Sequence, residues 1–166
     1  SILDEEMESF LDKKYGIEKD MPLIELLVYM GESFEAERER KRKEMCQILK
    51  KKEVKYCLVD MEYDKVIIAL VYGYSSRREI ERWYQNQILF QNMGERKQKV
   101  SYGMLEVSGA CEIREGYQKL LPYMDWNIIL GADILISYPQ ITDVQTEVCI
   151  YPVELENQIK VAICMG

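Results

Sequence analysis

Val54-Lys-Tyr-Cys-Leu-Val-Asp-Met61 and Val66-Ile-Ile-Ala-Leu-Val-Tyr72 stand on either side of Glu62-Tyr63-Asp64-Lys65. Both outer runs are rich in β-branched and aromatic residues, and the four residues between them are polar. That pattern predicts a β-hairpin. Helical patterns flank the hairpin on both sides, so the hairpin sits centrally in a βαββαβ arrangement. The turn holds no glycine pair and no histidine.

Working outward, Phe34 to Lys52 reads as a charged helix whose interleaved signs allow i, i+4 pairs. Before it, Leu23-Ile-Glu-Leu-Leu-Val-Tyr-Met30 reads as a first strand introduced by Pro22 and closed by Gly31. Leu3, Met7, Phe10 and Leu11 give an amphipathic helix from Leu3 to Tyr15, with Gly16 as its stop. After the hairpin, Ser75-Ser76 offers an N-cap, with Glu79 at the capping-box position if Ser76 is the cap. Ile80, Trp83, Tyr84, Ile88 and Leu89 anchor the helix that follows, which Gly94 ends. Val100 to Val107 reads as a strand, and Ile113, Tyr117, Leu120, Leu121 and Met124 mark a helix that Pro122 must kink or shorten. Ile134 to Tyr138 is the last clear strand, stopped by Pro139. Val148 to Tyr151 reads as a short extended segment. A terminal helix starts at Pro152, with Leu155, Ile159 and Ile163 on one apolar stripe. Its expected role is self-association or docking.

The expected order is β (23–30), α (34–52), β (54–61), β (66–72), α (77–93), β (100–107), α (112–125), β (134–138). Helical crossovers around a hairpin imply a mixed α/β (α+β) sheet with helices on its faces. Three parts are expected: an N-terminal helix over 1–20, the α/β domain over 21–140, and a C-terminal segment and helix over 141–166.

A chain of 166 residues, 48% apolar and 31% charged, can build one proper core. No apolar run approaches the roughly 20 residues that span a bilayer. The net charge of −7 argues against nucleic-acid binding by this chain alone. Its one basic run, Arg38-Glu-Arg-Lys-Arg-Lys43, is bounded by glutamates and reads as a solvated helix face. The five cysteines form no CxxC pair and read as reduced thiols of a cytoplasmic chain. The absence of histidine removes His-based catalysis and mixed zinc sites.

The remaining candidates for chemistry are few. Asp60, Glu62 and Asp64 alternate across the hairpin and share a face if the strand continues. Asp125 and Asp133 flank a helix-to-strand loop and suit backbone capping. Tyr72, Tyr74, Tyr84, Tyr102, Tyr117, Tyr123 and Tyr138 could form a stacking surface, but their default reading is core edge with wet hydroxyls. Trp83 and Trp126 read as packing anchors. Cys57 and Cys111 have no base nearby in sequence. No catalytic, cofactor or metal residue is assigned.

The element order is similar to the GGDEF, or nucleotide cyclase-like, fold. In that family a glycine-glycine-acidic signature sits at the hairpin turn, and a metal-binding acid follows the first strand. Here the turn reads Met61-Glu-Tyr-Asp-Lys65 and the strand ends Tyr29-Met30-Gly31. Both features that a triphosphate and its metals require are missing. The closer resemblance is to the degenerate GGDEF-like domains of AraC-type bacterial regulators. It rests on Ser101-Tyr-Gly-Met-Leu-Glu-Val-Ser108, Glu112-Ile-Arg-Glu-Gly-Tyr117, Asp133-Ile-Leu-Ile-Ser-Tyr138 and Tyr151-Pro-Val-Glu-Leu-Glu156. The chain departs from that pattern at Gly116 and Leu120. The resemblance implies a non-enzymatic, cytoplasmic signalling domain that forms a homodimer and contacts adjacent domains of its parent. It also implies no cofactor, no membrane contact, and DNA-reading helices outside this chain. The alternatives are a nucleotide-handling enzyme with an unconventional site, or a free-standing interaction domain.

Overall fold

The structure, a computed structural model, describes residues 2–91, 100–124 and 135–137. The elements run α1 (Ile2–Tyr15), β1 (Leu23–Tyr29), α2 (Phe34–Lys52), β2 (Lys55–Met61), β3 (Val66–Tyr72), α3 (Arg77–Gln91), β4 (Ser101–Val107), α4 (Ile113–Leu120) and β5 (Leu135–Ser137). The strands form one mixed sheet in the order β2-β3-β1-β4-β5. All pairs are antiparallel except β4 with β5. The expected mixed α/β sheet is thus the observed fold, with the hairpin central in chain order and forming one edge of the sheet.

β1 lies at the centre of the sheet, which accounts for its composition. Helices cover both faces, so the strand alternates between two apolar layers rather than between core and water. Leu23 and Leu27 join one layer with Leu70, Leu105, Tyr117 and Leu120. Ile24, Leu26 and Val28 join the other with Phe34, Met45, Ile80 and Ile88. α1 and α4 therefore cover the first face, and α2 and α3 the second. The five apolar side chains of β1 from Leu23 to Val28 are wholly shielded from solvent. Each contributes roughly 1.5–3 kcal/mol by that burial.

Local signals account for most boundaries. Gly16 ends α1 in the left-handed region, and its N–H donates to the Asp12 carbonyl at 2.9 Å. Ser76 caps α3 by accepting from the Glu79 N–H at 3.3 Å, while the Glu79 carboxylate is engaged by Lys52 Nζ at 2.7 Å. α4 is shorter than the apolar spacing predicts. A 3-10 turn over Ala110–Glu112 leads into it, and another over Leu121–Tyr123 closes it. Pro122 is the reason, since it cannot donate to the preceding turn.

Leu155, Ile159 and Ile163, with Asp125, Asp133, Trp126, Tyr138 and the extended segment 148–151, lie outside the described residues.

Candidate functional site

The hairpin acids do not converge. Asp60 pairs with Arg42 of α2, and Arg38 reaches Glu62 at 2.8 Å and Asp60 at 3.9 Å. Asp64 is instead held from the opposite side of the sheet, where Tyr117 of α4 donates its phenol at 2.7 Å. The alternation expected of Asp60, Glu62 and Asp64 ends with the strand at Met61, and the turn sends Asp64 elsewhere. Among the described residues no group of three or more His, Cys, Asp or Glu could hold a metal ion.

The basic run of α2 is only in part the solvated face that its composition suggests, with Arg40 and Lys43 exposed. Besides Arg38 and Arg42, which pair with the hairpin acids, Lys41 is buried, at 2% exposure. Its Nζ donates to the Tyr102 hydroxyl at 2.5 Å and lies 3.5 Å from Glu44. Burial lowers the lysine pKa, and Glu44 opposes that shift. The long methylene stem lets one lysine of a charged run turn inward.

The tyrosines also differ from expectation. Tyr72, Tyr84, Tyr102, Tyr117 and Tyr123 are buried. Several hydroxyls bond within the protein rather than to water. Tyr72 donates to the Tyr15 carbonyl at 2.7 Å and Tyr74 to Glu106 at 2.5 Å. Tyr84 and Tyr102 meet edge to face at 6.1 Å. Burial pushes the Cys57 thiol up to about 11, so it stays protonated at neutral pH. Cys111 is exposed.

The feature that sequence reasoning passed over is Glu25. It sits mid-strand in β1, between Leu70 on β3 and Leu105 on β4. It is 0% exposed, and neither carboxylate oxygen has a hydrogen-bond partner. Burial raises its pKa to about 9, so the side chain is a neutral acid at pH 7. Gly116 of α4 makes room for it. A Cβ there would lie 2.5 Å from Glu25 Oε2, 2.6 Å from Leu105 Cδ2 and 2.8 Å from Val107 Cγ1. The signal was present in the sequence: one acid inside an otherwise apolar strand that is flanked by helices on both sides.

Beyond Gly116 a cavity of about 420 Å³ opens along β4, past the point where β5 stops pairing. Its charged rim is satisfied internally. Arg77 donates to Glu81 at 3.0 Å and to Ser137 at 2.6 Å. Lys119 pairs with Glu115 at 2.9 Å. Glu112 accepts from the Ser108 N–H and hydroxyl at 2.8 and 3.0 Å, which lowers its pKa. Glu106 holds Tyr74. Charges already paired this way do not converge on a reacting group.

Chemically, the arrangement offers one sealed acid, one sealed lysine and a set of short ion pairs. The acid and the lysine are both shielded from solvent, while the carboxylates of the ion pairs, such as Glu62 and Glu115, stay largely exposed. No helix among the described residues is long and apolar enough to cross a membrane. No family model, curated protein or solved structure matches the chain.

Proposed function

We propose that this chain is a non-catalytic, signal-transmitting domain of an AraC-type transcription regulator, with the DNA-reading region outside it. The observation that supports this reading best is the fate of the hairpin acids. Arg38 and Arg42 engage Asp60 and Glu62, and Tyr117 engages Asp64. Carboxylates tied up in this way do not hold metal ions beside a triphosphate. The turn also lacks the glycines that would let backbone approach phosphate closely. The net charge of −7 suits a domain that leaves DNA contact to another part of its parent. Homodimerisation through Leu155, Ile159 and Ile163 belongs to the same reading.

Incubation with GTP or ATP and magnesium or manganese should give no nucleotide product. Turnover that Asp64→Ala abolishes would overturn the reading in favour of an enzyme with an unconventional site. The gene's continuation beyond Gly166 separates a regulator from a free-standing interaction domain. A double helix-turn-helix there supports the first, and its absence supports the second.

A further inference from the structure

We propose that α4 is a proton-linked two-state element: seated on the sheet while Glu25 is neutral, and lifted when Glu25 ionises. The argument is geometric first. Gly116 of α4 lies directly over Glu25 Oε2, with Leu105 and Val107 closing the sides. Seating α4 therefore seals a carboxyl group that has no partner for either oxygen. Lifting α4 would return that group to water, where it ionises freely.

Among the described residues no neighbour offers the carboxyl a compensating charge. Among the same residues, the titratable side chains of this layer are Tyr29 on β1 itself, Tyr117 and Tyr123 after β4, Tyr72 on β3, Cys57 on β2 and Tyr15 at the end of α1. All are phenols or a thiol. Asp64 lies behind Tyr117 and is bonded to it. The charged Glu115 and Lys119 of α4 pair with each other at the solvent side. The raised proton affinity of Glu25 comes from burial, which is what the seated helix imposes.

α4 is suited to move. Its eight residues are too few to form a stable helix alone, so it exists by docking. Ile113, Tyr117 and Leu120 anchor it, and among the described residues a cavity lies along its flank beside Gly116. Each lifting event releases one proton from the Glu25 site. The opening equilibrium should then rise up to tenfold per pH unit between the ordinary carboxylate range and the pKa of the sealed acid.

Native-state hydrogen exchange on the full chain tests this. Exchange of the amides of residues 113–120 is followed from pH 6 to 9, above the range in which exposed carboxylates titrate, and corrected for intrinsic rates. The opening constant of α4 should exceed that of β3 and climb with pH. In Glu25→Gln, which keeps the shape but cannot ionise, the climb should vanish; Glu25→Met serves if the amide variant does not fold. A flat opening constant in the parent chain would overturn the proposal. So would a pH slope that survives in either variant, or α4 and β3 amides that open only together. The regulator reading stands or falls separately, since its tests do not involve Glu25.

Discussion

Gly109→Ala should destabilise the fold by roughly 3–5 kcal/mol, a large part of the 5–15 kcal/mol that holds a typical domain. Gly109 precedes the turn into α4 with φ +149° and ψ 179°, a region that essentially only glycine occupies. A Cβ there would lie 1.7 Å from the Lys19 carbonyl oxygen and 2.6 Å from its carbon. The obstacle is backbone, so no rotamer change relieves it. Conformational strain of about 1–3 kcal/mol adds to a forced backbone shift of similar size. The loops before β1 and after β4 would be driven apart. Urea titration of the variant gives the loss directly. Gly16→Ala is the control: its φ is also positive, at +70°, but nothing lies within 4 Å of the new atom. It should lose only about 1–2 kcal/mol. Equal losses at the two positions would mean that Gly109 is not pressed against Lys19.

Glu25→Met should stabilise the fold at pH 7 by about 3 kcal/mol and flatten its dependence on pH. Burial raises the folded-state pKa of the Glu25 carboxyl to about 9, against an ordinary glutamate value of 4.5. Its folded-state pKa is raised, so its stabilising preference for the proton is fully present below pH 4.5. Between pH 4.5 and 9 the unfolded chain has released the proton and the folded chain still holds it. Stability therefore falls throughout that window. At pH 7 the loss is about 3 kcal/mol, at roughly 1.4 kcal/mol per pH unit. Methionine follows the same unbranched path past Gly116 without a titrating group. Urea titrations at pH 5, 7 and 9 should converge for parent and variant at the acid end and separate toward the alkaline end. Parallel pH profiles would show that the carboxyl is solvated in the folded state.

The hairpin and α2 were legible because their signals are local. Runs of β-branched and aromatic residues, a polar turn and a charged helix with an aromatic start need no distant partner. β1 was legible as a strand, but its consequence was not. A phosphate-binding fold needs its acids at the strand end and at the turn, whereas Glu25 sits inside the apolar run. Its significance depends on β3, β4 and Gly116, and all three lie far along the chain. Lys41 was hidden for the same reason, because its partner Tyr102 is 61 positions away. The departure at Gly116 was visible as a missing side chain. What fills that space could be known only once α4 was placed over β1.

The central place of β1 also bears on how the chain is made. β1 leaves the ribosome before either of its sheet neighbours, since β3 and β4 both follow it in sequence. Until they emerge, Leu23-Ile-Glu-Leu-Leu-Val-Tyr29 is an unpaired window of strand-forming residues, the kind of segment that pairs wrongly with other chains. In that nascent state Glu25 meets water and carries a full negative charge at pH 7. A residue that burdens the finished core thus interrupts an adhesive stretch of the unfinished chain. Glu25→Met should therefore gain stability in the test tube and lose soluble yield during synthesis.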